Sequence, residues 1–239
     1  MKKFLGTMMV ALITTTTAFA STDSTLNIEL NFDKSTDVNS VDSEYLKVVP
    51  ENWRFPSSTN LGKQQKEKFV AALELLEEVM NHEEFKTMVL SYEKETGVRE
   101  FQKNYLWRNS SDRLSNEDIY KIIMTGDEKM RDNTIGEMNL NSYVKVCRGV
   151  RKWGIWCRKV VGSTDPSNSK WIKLNWKFYA KFDTPKMINN LTHEWLHLLG
   201  FLHGSENMRK EVPYIVGQIA EEVARKILAE RKQVFNKVD

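Results

Sequence analysis

The sequence is poor in cysteine and histidine, and it lacks internal repeats, heptads, low-complexity tracts and long apolar runs. Two cysteines allow one disulfide at most. The apolar run over residues 4–13 is too short to span a bilayer as a permanent helix, and nothing later resembles a membrane span. An excess of charge is also missing, because 35 Lys and Arg stand against 32 Asp and Glu. Nucleic acid or a charged membrane is therefore not expected as the main partner.

The first sixty residues read as two segments outside the main domain. Residues 1–20 predict a signal peptide, because Lys2 and Lys3 precede the apolar run and residues 18–20 form the small-x-small triplet that a signal peptidase accepts. The alternative is an apolar helix of the mature fold. We expect a soluble chain that is secreted or periplasmic, without a lipid anchor. Residues 21–60, rich in Ser, Thr, Asp and Asn, fit a loose arm, a removable pro-segment or an edge strand.

Helical periodicity dominates residues 61–130. Two apolar stripes with a break near Asn81 predict two helices. A third helix is predicted by Ser115 as its N-cap, Asp118 as the capping-box partner and Gly126 as the terminating residue. The two stripes consist of Phe69, Leu73, Leu76 and Met80, followed by Phe85, Met88, Val89 and Tyr92.

Residues 131–239 predict a sheet and two more helices. Residues 140–161 fit a hairpin, and the alternation in WIKLNWKFYA at 171–180 fits a half-buried strand. Helical spacing resumes over 185–199, and a last helix is expected over about 214–232, with the stripe Ile215, Ile219, Val223 and Ile227. The expected class for the domain is therefore α+β.

The segment LTHEWLHLLGFLHG at residues 191–204 holds three of the four histidines. On a helix, His193 and His197 lie one turn apart on nearly the opposite side from the apolar stripe. A core histidine would lie on the stripe, so this position favours a functional role. Two such imidazoles can both reach one Zn²⁺. The apolar stripe consists of Ile188, Leu191, Trp195 and Leu198.

The residues around this pair can complete a catalytic site. Gly200 can end the helix in the left-handed conformation and send the chain back, which delivers His203 as a third ligand. Three protein ligands leave a fourth position open for water or substrate. Zinc lowers the pKa of that water, and Glu194 can accept its proton as the water attacks a carbonyl.

The spacing His193-Glu194-x-x-His197-x-x-Gly200-x-x-His203 resembles the elongated zinc-binding motif of the metzincin metallopeptidases. A chance match is expected on the order of once in 10⁵ sequences. The resemblance implies a zinc-dependent endopeptidase that acts on a protein or peptide substrate, with the three histidines as ligands and the glutamate as general base. It also implies a zincin-like fold, in which a twisted mixed sheet lies over the active-site helix and substrate binds extended along an edge strand.

The sequence departs from the metzincin pattern after His203. The family carries a methionine in a tight turn beneath the metal, often followed by a tyrosine. Met208 comes too early, and EVPYIVG at 211–217 has Pro213 where that methionine is expected. We predict that Pro213 and Tyr214 replace the turn, with Tyr214 able to donate a hydrogen bond to the oxyanion. The alternative is that Tyr214 only starts the C-terminal helix.

Two alternative readings of the metal site stay open. In another group of zinc peptidases the third ligand is a later glutamate, a part that Glu221 or Glu222 could play instead of His203, with Glu206 and Glu211 nearby. The protein could also be a non-catalytic exported zinc-binding domain. Glu194 argues against this reading, because a structural site needs no base. In either case a monomer is expected.

The predicted hairpin carries both cysteines and a basic cluster. Cys147 and Cys157 predict a disulfide that contributes roughly 3 kcal/mol, and the alternative is a thiol that caps the metal and keeps the enzyme latent. A solvated hairpin with cross-strand aromatic packing is favoured over a rim that recognises acidic or aromatic substrate segments. The basic residues are Lys145, Arg148, Arg151, Lys152, Arg158 and Lys159.

Overall fold

The computed structural model describes residues 45–54, 63–92, 114–128, 133–145, 160–164, 171–203 and 211–235. These residues form a mixed α/β fold of six helices and a small four-stranded sheet. The strands are β1 (Lys47–Arg54), β2 (Glu137–Lys145), β3 (Gly162–Ser163) and β4 (Ile172–Asn175). The helices are α1 (Lys63–Met80), α2 (Glu83–Leu90), α3 (Asn116–Thr125), α4 (Trp176–Tyr179), α5 (Thr184–Leu198) and α6 (Val212–Phe235).

The sheet is mixed, with strand order β1-β2-β4-β3. Strand β2 pairs in parallel with both β1 and β4, whereas β3 pairs antiparallel with β4 through Gly162 opposite Leu174 and Ser163 opposite Lys173. Apolar side chains of the three parallel strands are buried in the core, among them Val48, Met138, Leu140, Val144, Ile172 and Leu174. The short antiparallel strand β3 therefore lies at one edge of the described sheet.

Strand β1 comes from the N-terminal arm and is held at its outer edge by Glu77 of α1 and by Asn81 just after that helix. The Leu46 N–H donates to Asn81 Oδ1 at 2.7 Å, and the Val48 N–H donates to Glu77 Oε2 at 2.8 Å. Asn81 Nδ2 donates back to the Leu46 carbonyl at 2.8 Å. Side chains thus satisfy backbone groups that an edge strand would otherwise leave open. For residues 47–54 the edge strand is the correct alternative, while 1–44 and 55–60 lie outside the described residues.

The predicted helices of residues 61–130 are confirmed, and local signals mark where they begin and end. Helix α1 ends at Met80, and the break at Asn81 separates it from α2. Ser115 caps α3 by accepting from the Asp118 N–H at 3.0 Å, and Asp118 accepts from the Ser115 N–H at 2.9 Å. Gly126 ends this helix with a φ of 62°. The capping box predicted from the sequence is therefore present.

Two expectations for the second half are wrong. The strand predicted over 171–180 ends at Asn175, whose side chain accepts from the Lys177 N–H at 3.1 Å and starts α4. Trp176 and Tyr179 then stack on Phe69 of α1. These two residues therefore pack from a short helix and do not continue the alternation of the strand. The hairpin predicted over 140–161 is also wrong in its described part, because β2 pairs only in parallel there and β4 lies between β2 and β3.

Helix α5 packs mainly against α6 and α1 and is linked to the sheet through Glu128. Trp195 donates its indole N–H to Glu128 Oε1 at 3.0 Å, and the same oxygen accepts the Asn139 N–H of β2 at 3.0 Å. On the α6 side, a Cβ added at Gly217 would lie 2.9 Å from the Asn189 carbonyl oxygen. The predicted stripe of α6 is buried at Ile215, Ile219, Val223 and Ile227. None of the helices in the described part of the chain is long and apolar enough to cross a membrane.

Candidate metal centre

The site is built on α5, and both ends of this helix are fixed by local capping interactions. Asp183 caps the helix by accepting from the Lys186 N–H at 2.9 Å, and a proline lies in the first turn. At the other end, the Gly200 N–H donates to the His197 carbonyl at 3.1 Å and the Phe201 N–H to the Leu196 carbonyl at 3.1 Å. These two bonds form a Schellman motif, which needs a left-handed residue after the cap.

Gly200 supplies that residue. Its φ is 103°, a backbone conformation that residues other than glycine rarely adopt. The chain reverses there, and the segment that follows brings His203 to the two histidines of the helix. The predicted role of the glycine is therefore confirmed.

The three predicted histidines converge. One ligand atom from each of His193, His197 and His203 lies within 4.8 Å of the others, in the one such group found among the described residues. His197 Nε2 and His203 Nε2 are 3.1 Å apart, close to the spacing of about 3.3 Å between two nitrogens of a tetrahedral site with bonds of about 2.0–2.1 Å. Three imidazoles of this kind suit several divalent first-row metals.

Each imidazole is oriented by a hydrogen-bond acceptor. His197 Nδ1 donates to the Phe201 carbonyl at 2.6 Å, and His203 Nδ1 donates to Glu211 Oε2 at 2.5 Å. His193 donates to the backbone of Pro213. Because carbonyls and carboxylates accept, Nδ1 of His197 and of His203 is the donor in these two contacts, and Nε2 of each ring faces the other histidine. With its proton on Nδ1, each ring can present Nε2 to a metal ion.

The two helical histidines are neutral at physiological pH. Burial, followed by the neighbouring imidazoles, lowers the pKa of His193 to about 3 against the opposing hydrogen bond to Pro213. Burial also lowers the pKa of His197 to about 4, against the opposing hydrogen bond to Phe201. A metal ion therefore does not compete with protons for these two rings near pH 7.

Glu194 lies beside the histidines as a buried carboxyl group. Burial raises its pKa to about 7, while hydrogen bonds from Thr164 and Asn190 act in the opposite direction. Thr164 Oγ1 donates to Glu194 Oε2 at 3.0 Å, and the Tyr179 hydroxyl donates to Asn190 Oδ1 at 2.7 Å. A group that titrates near neutrality and is fixed by two donors can accept and return a proton.

The edge strand β3 passes directly against this carboxyl group. A Cβ added at Gly162 would lie 2.6 Å from Glu194 Oε1 and 2.8 Å from Asn190 Oδ1. Real Cβ atoms do not approach other atoms so closely, so a side chain at position 162 would have to displace these two side-chain oxygens. Neither Gly162 nor Thr164 was identified from the sequence, because their proximity to Glu194 depends on how the strand pairs. Asn190 could have been found, since it precedes Glu194 by one helical turn.

Tyr214 lies in the first turn of α6 and also contacts the histidines. Its ring centroid is 4.5 Å from that of His193 and 5.1 Å from that of His203. Burial raises the pKa of its hydroxyl, and the charges of Glu211 and Glu194 act in the same direction. The structure thus places Tyr214 at the start of the C-terminal helix and beside the site, with its hydroxyl in the proton-bearing form.

The other candidate ligands lie elsewhere. Glu221 contacts Lys186, Asn189 and Arg225 at 3.1, 2.6 and 2.8 Å, and Glu222 is exposed. Neither joins the group of possible metal ligands in the described residues. The predictions for Cys147, Cys157, Glu206, Met208 and the side chains of the basic cluster concern positions outside the described residues.

Comparison with known proteins identifies no relative. No protein family, curated protein or solved structure matches the chain. The chemistry of the site therefore has to be argued from its own residues. These are a buried histidine cluster compatible with a metal ion and an adjacent carboxyl group that titrates near neutral pH.

Proposed function

We propose that the protein is an exported, zinc-dependent endopeptidase of metzincin type that hydrolyses peptide bonds in proteins or peptides. The observation that carries this proposal is the buried carboxyl group of Glu194 next to three converging histidines. A structural metal site is closed by four protein ligands and needs no base, whereas a catalytic one has three and keeps a position open. The signal-peptide pattern at 1–20 supports export.

His193, His197 and His203 would hold the zinc ion in this proposal. A bound zinc ion supplies Lewis acidity, which polarises a carbonyl group and lowers the pKa of water. Among first-row metals, imidazole ligands are compatible with zinc, and the 3.1 Å between His197 Nε2 and His203 Nε2 is close to the tetrahedral spacing given above.

Glu194 would be the general base. With a pKa of about 7 it is partly ionised at neutral pH, so it can take a proton from the attacking water and return it to the leaving amine. Thr164 and Asn190 fix its orientation, which keeps the carboxylate ready for the transfer. Tyr214, whose ring packs on two of the histidines, would donate a hydrogen bond to the oxyanion.

The edge strand supports an extended peptide as substrate. We infer that the substrate is an extended peptide that lies beside β3. Because Gly162 of this strand contacts Glu194, such a peptide would pass close to the general base. The site therefore suits cleavage within a chain.

The test is a Glu194→Ala variant assayed for zinc content and for cleavage of casein and a peptide library. We expect zinc to be retained and cleavage to fall by about 10²–10⁴-fold, the usual contribution of a positioned base. Glu222→Ala, which changes an exposed carboxylate on α6, is the matched control and should cleave like the wild type.

Two outcomes would select the alternatives. Wild-type protein that binds zinc but cleaves nothing, also after trimming of residues 21–44, would point to a non-catalytic zinc-binding domain. A His203→Ala variant with unchanged zinc affinity would instead indicate a glutamate as the third ligand.

A further inference from the structure

The three histidines are oriented by groups of different kinds. His193 and His197 donate to backbone carbonyls, which belong to Pro213 and Phe201. His203 alone among them donates to a carboxylate, that of Glu211. The orientation of this third imidazole therefore depends on a side chain, which a substitution can remove.

His203 is also the histidine with the least support from the fold. It lies beyond the end of α5, and 40% of its side chain is exposed, whereas His193 and His197 are buried in the helix. Glu211 precedes the first residue of α6, and its side chain is fully buried. Burying a carboxylate is costly unless it is hydrogen-bonded or paired, and its bond to His203 Nδ1 at 2.5 Å provides such a partner.

We propose that Glu211 is a positioning residue for the metal: its carboxylate fixes His203 in the tautomer and orientation that present Nε2 to the ion. The proposal rests on the metal-binding part of the proposed function, not on peptide hydrolysis. Partners of this kind typically change metal affinity by about 10–100-fold when they are removed.

The geometry distinguishes this role from direct ligation. Glu211 Oε2 contacts Nδ1 of His203, while Nε2 on the far side of the ring faces His197 Nε2 at 3.1 Å. The carboxylate thus lies behind the ligand as seen from the other histidines. Its negative charge makes the imidazole a better donor and partly balances the charge of a divalent ion.

The experiment measures the Zn²⁺ affinity of the full chain by competition with a chelator. We expect Glu211→Ala to bind about 100-fold more weakly than the wild type. Glu211→Gln keeps an oxygen that accepts from His203 Nδ1 but loses the charge, so we expect a loss of about 10-fold. Glu221→Gln is the matched control, because it changes a half-buried carboxylate of α6 that binds Lys186 and Arg225, and its affinity should stay within about twofold of the wild type.

A second measurement separates positioning from folding. Nitrogen-15 NMR of the metal-free proteins should show the Nδ1–H tautomer of His203 in the wild type and in Glu211→Gln, and a mixture of tautomers in Glu211→Ala. If Glu211→Ala melts at a much lower temperature, the comparison between Glu211→Gln and the wild type still decides the question.

Equal zinc affinity of the wild type and both variants would overturn the proposal, as would an unchanged His203 tautomer in Glu211→Ala. The proposed function fails separately, when the wild type binds zinc but cleaves no peptide. In that case the role of Glu211 in metal binding stands.

Discussion

Burial shifts the pKa values of three neighbouring residues in the direction that favours the neutral form of each. The pKa of Glu194 is raised to about 7, while those of His193 and His197 are lowered to about 3 and 4. The helix thus carries its reactive groups at little electrostatic cost at neutral pH. The same shifts predict how the stability of the metal-free protein depends on pH.

The two kinds of shift act in opposite directions. Glu194 has a raised pKa, so its contribution to stability is fully present below the unfolded value of about 4.5 and is lost as the pH rises through about 7. The two histidines have lowered pKa values, so their contribution is present above about 6.5 and is lost as the pH falls towards 4 and 3.

Glu194→Gln isolates the carboxyl group from the histidines. Compared with this variant, the metal-free wild type should gain about 3 kcal/mol in its free energy of unfolding between pH 8 and pH 5. Urea denaturation of both proteins in chelator at the two pH values measures the difference. If the free energy of unfolding of the wild type relative to Glu194→Gln is the same at both pH values, or is larger at pH 8, the carboxyl group of Glu194 does not have a raised pKa.

Gly162→Ala should impair catalysis without impairing metal binding. The added methyl group would displace the Glu194 carboxylate, which is the flexible end of a side chain, so little stability should be lost. A misplacement of about 1 Å can reduce a rate by about 100-fold, and we expect a loss of that size. Peptide cleavage and zinc content are measured together, with Ser163→Ala as the control on the same strand. Wild-type cleavage by Gly162→Ala would show that this contact is unimportant.

At the scale of elements, the sequence predicted what local signals decide. The break at Asn81, the capping box of Ser115 and Asp118, and the reversal at Gly200 depend on neighbouring residues, and all of them were predicted. The strand over 171–180 was predicted too long, because the capping by Asn175 competes with an alternation that looks uninterrupted.

The candidate site divides in the same way. The three histidines and Glu194 have fixed spacings in and after one helix, so they could be predicted. The sequence could not choose the edge strand for residues 47–54 over its alternatives, nor predict the contacts of Glu194 with β3, since both depend on pairing between segments far apart in the chain. In addition, Pro50 and the register shift beside it hide the alternation of β1.

Strand β1 limits how far the N-terminal arm can be trimmed. Removal of residues 21–43 should leave the melting temperature within a few degrees, because the bonds of Asn81 to Leu46 and of Glu77 to Val48 stay intact. Removal through residue 54 deletes these two buried side chains, worth roughly 1.5–3 kcal/mol each, and should unfold or strongly destabilise the domain. Circular dichroism melts of the two trimmed chains measure this, and equal melts would argue against β1 as part of the fold.

At the scale of the whole molecule, a metal ion would join two helices. Its ligands would belong to α5 and the segment after it, while Pro213 of α6 and Glu211 just before it accept hydrogen bonds from two of them. Zinc at 1,000 times its dissociation constant should stabilise the protein by about 4 kcal/mol, or about 10 °C in melting temperature. Calorimetry in zinc and in chelator measures this shift, which should shrink in His203→Ala. Identical melting temperatures of the wild type in zinc and in chelator would show that zinc does not bind preferentially to the folded protein.

The bond between Trp195 and Glu128 ties the active-site helix to its surroundings. Through Glu128 the indole is connected to the backbone of β2, and on the α6 side Gly217 allows the close approach of Asn189, so α5 is held on two sides. If the protein is the proposed peptidase, we expect differences in substrate preference to arise from residues outside this helix, while His193 and Glu194 keep their positions on it.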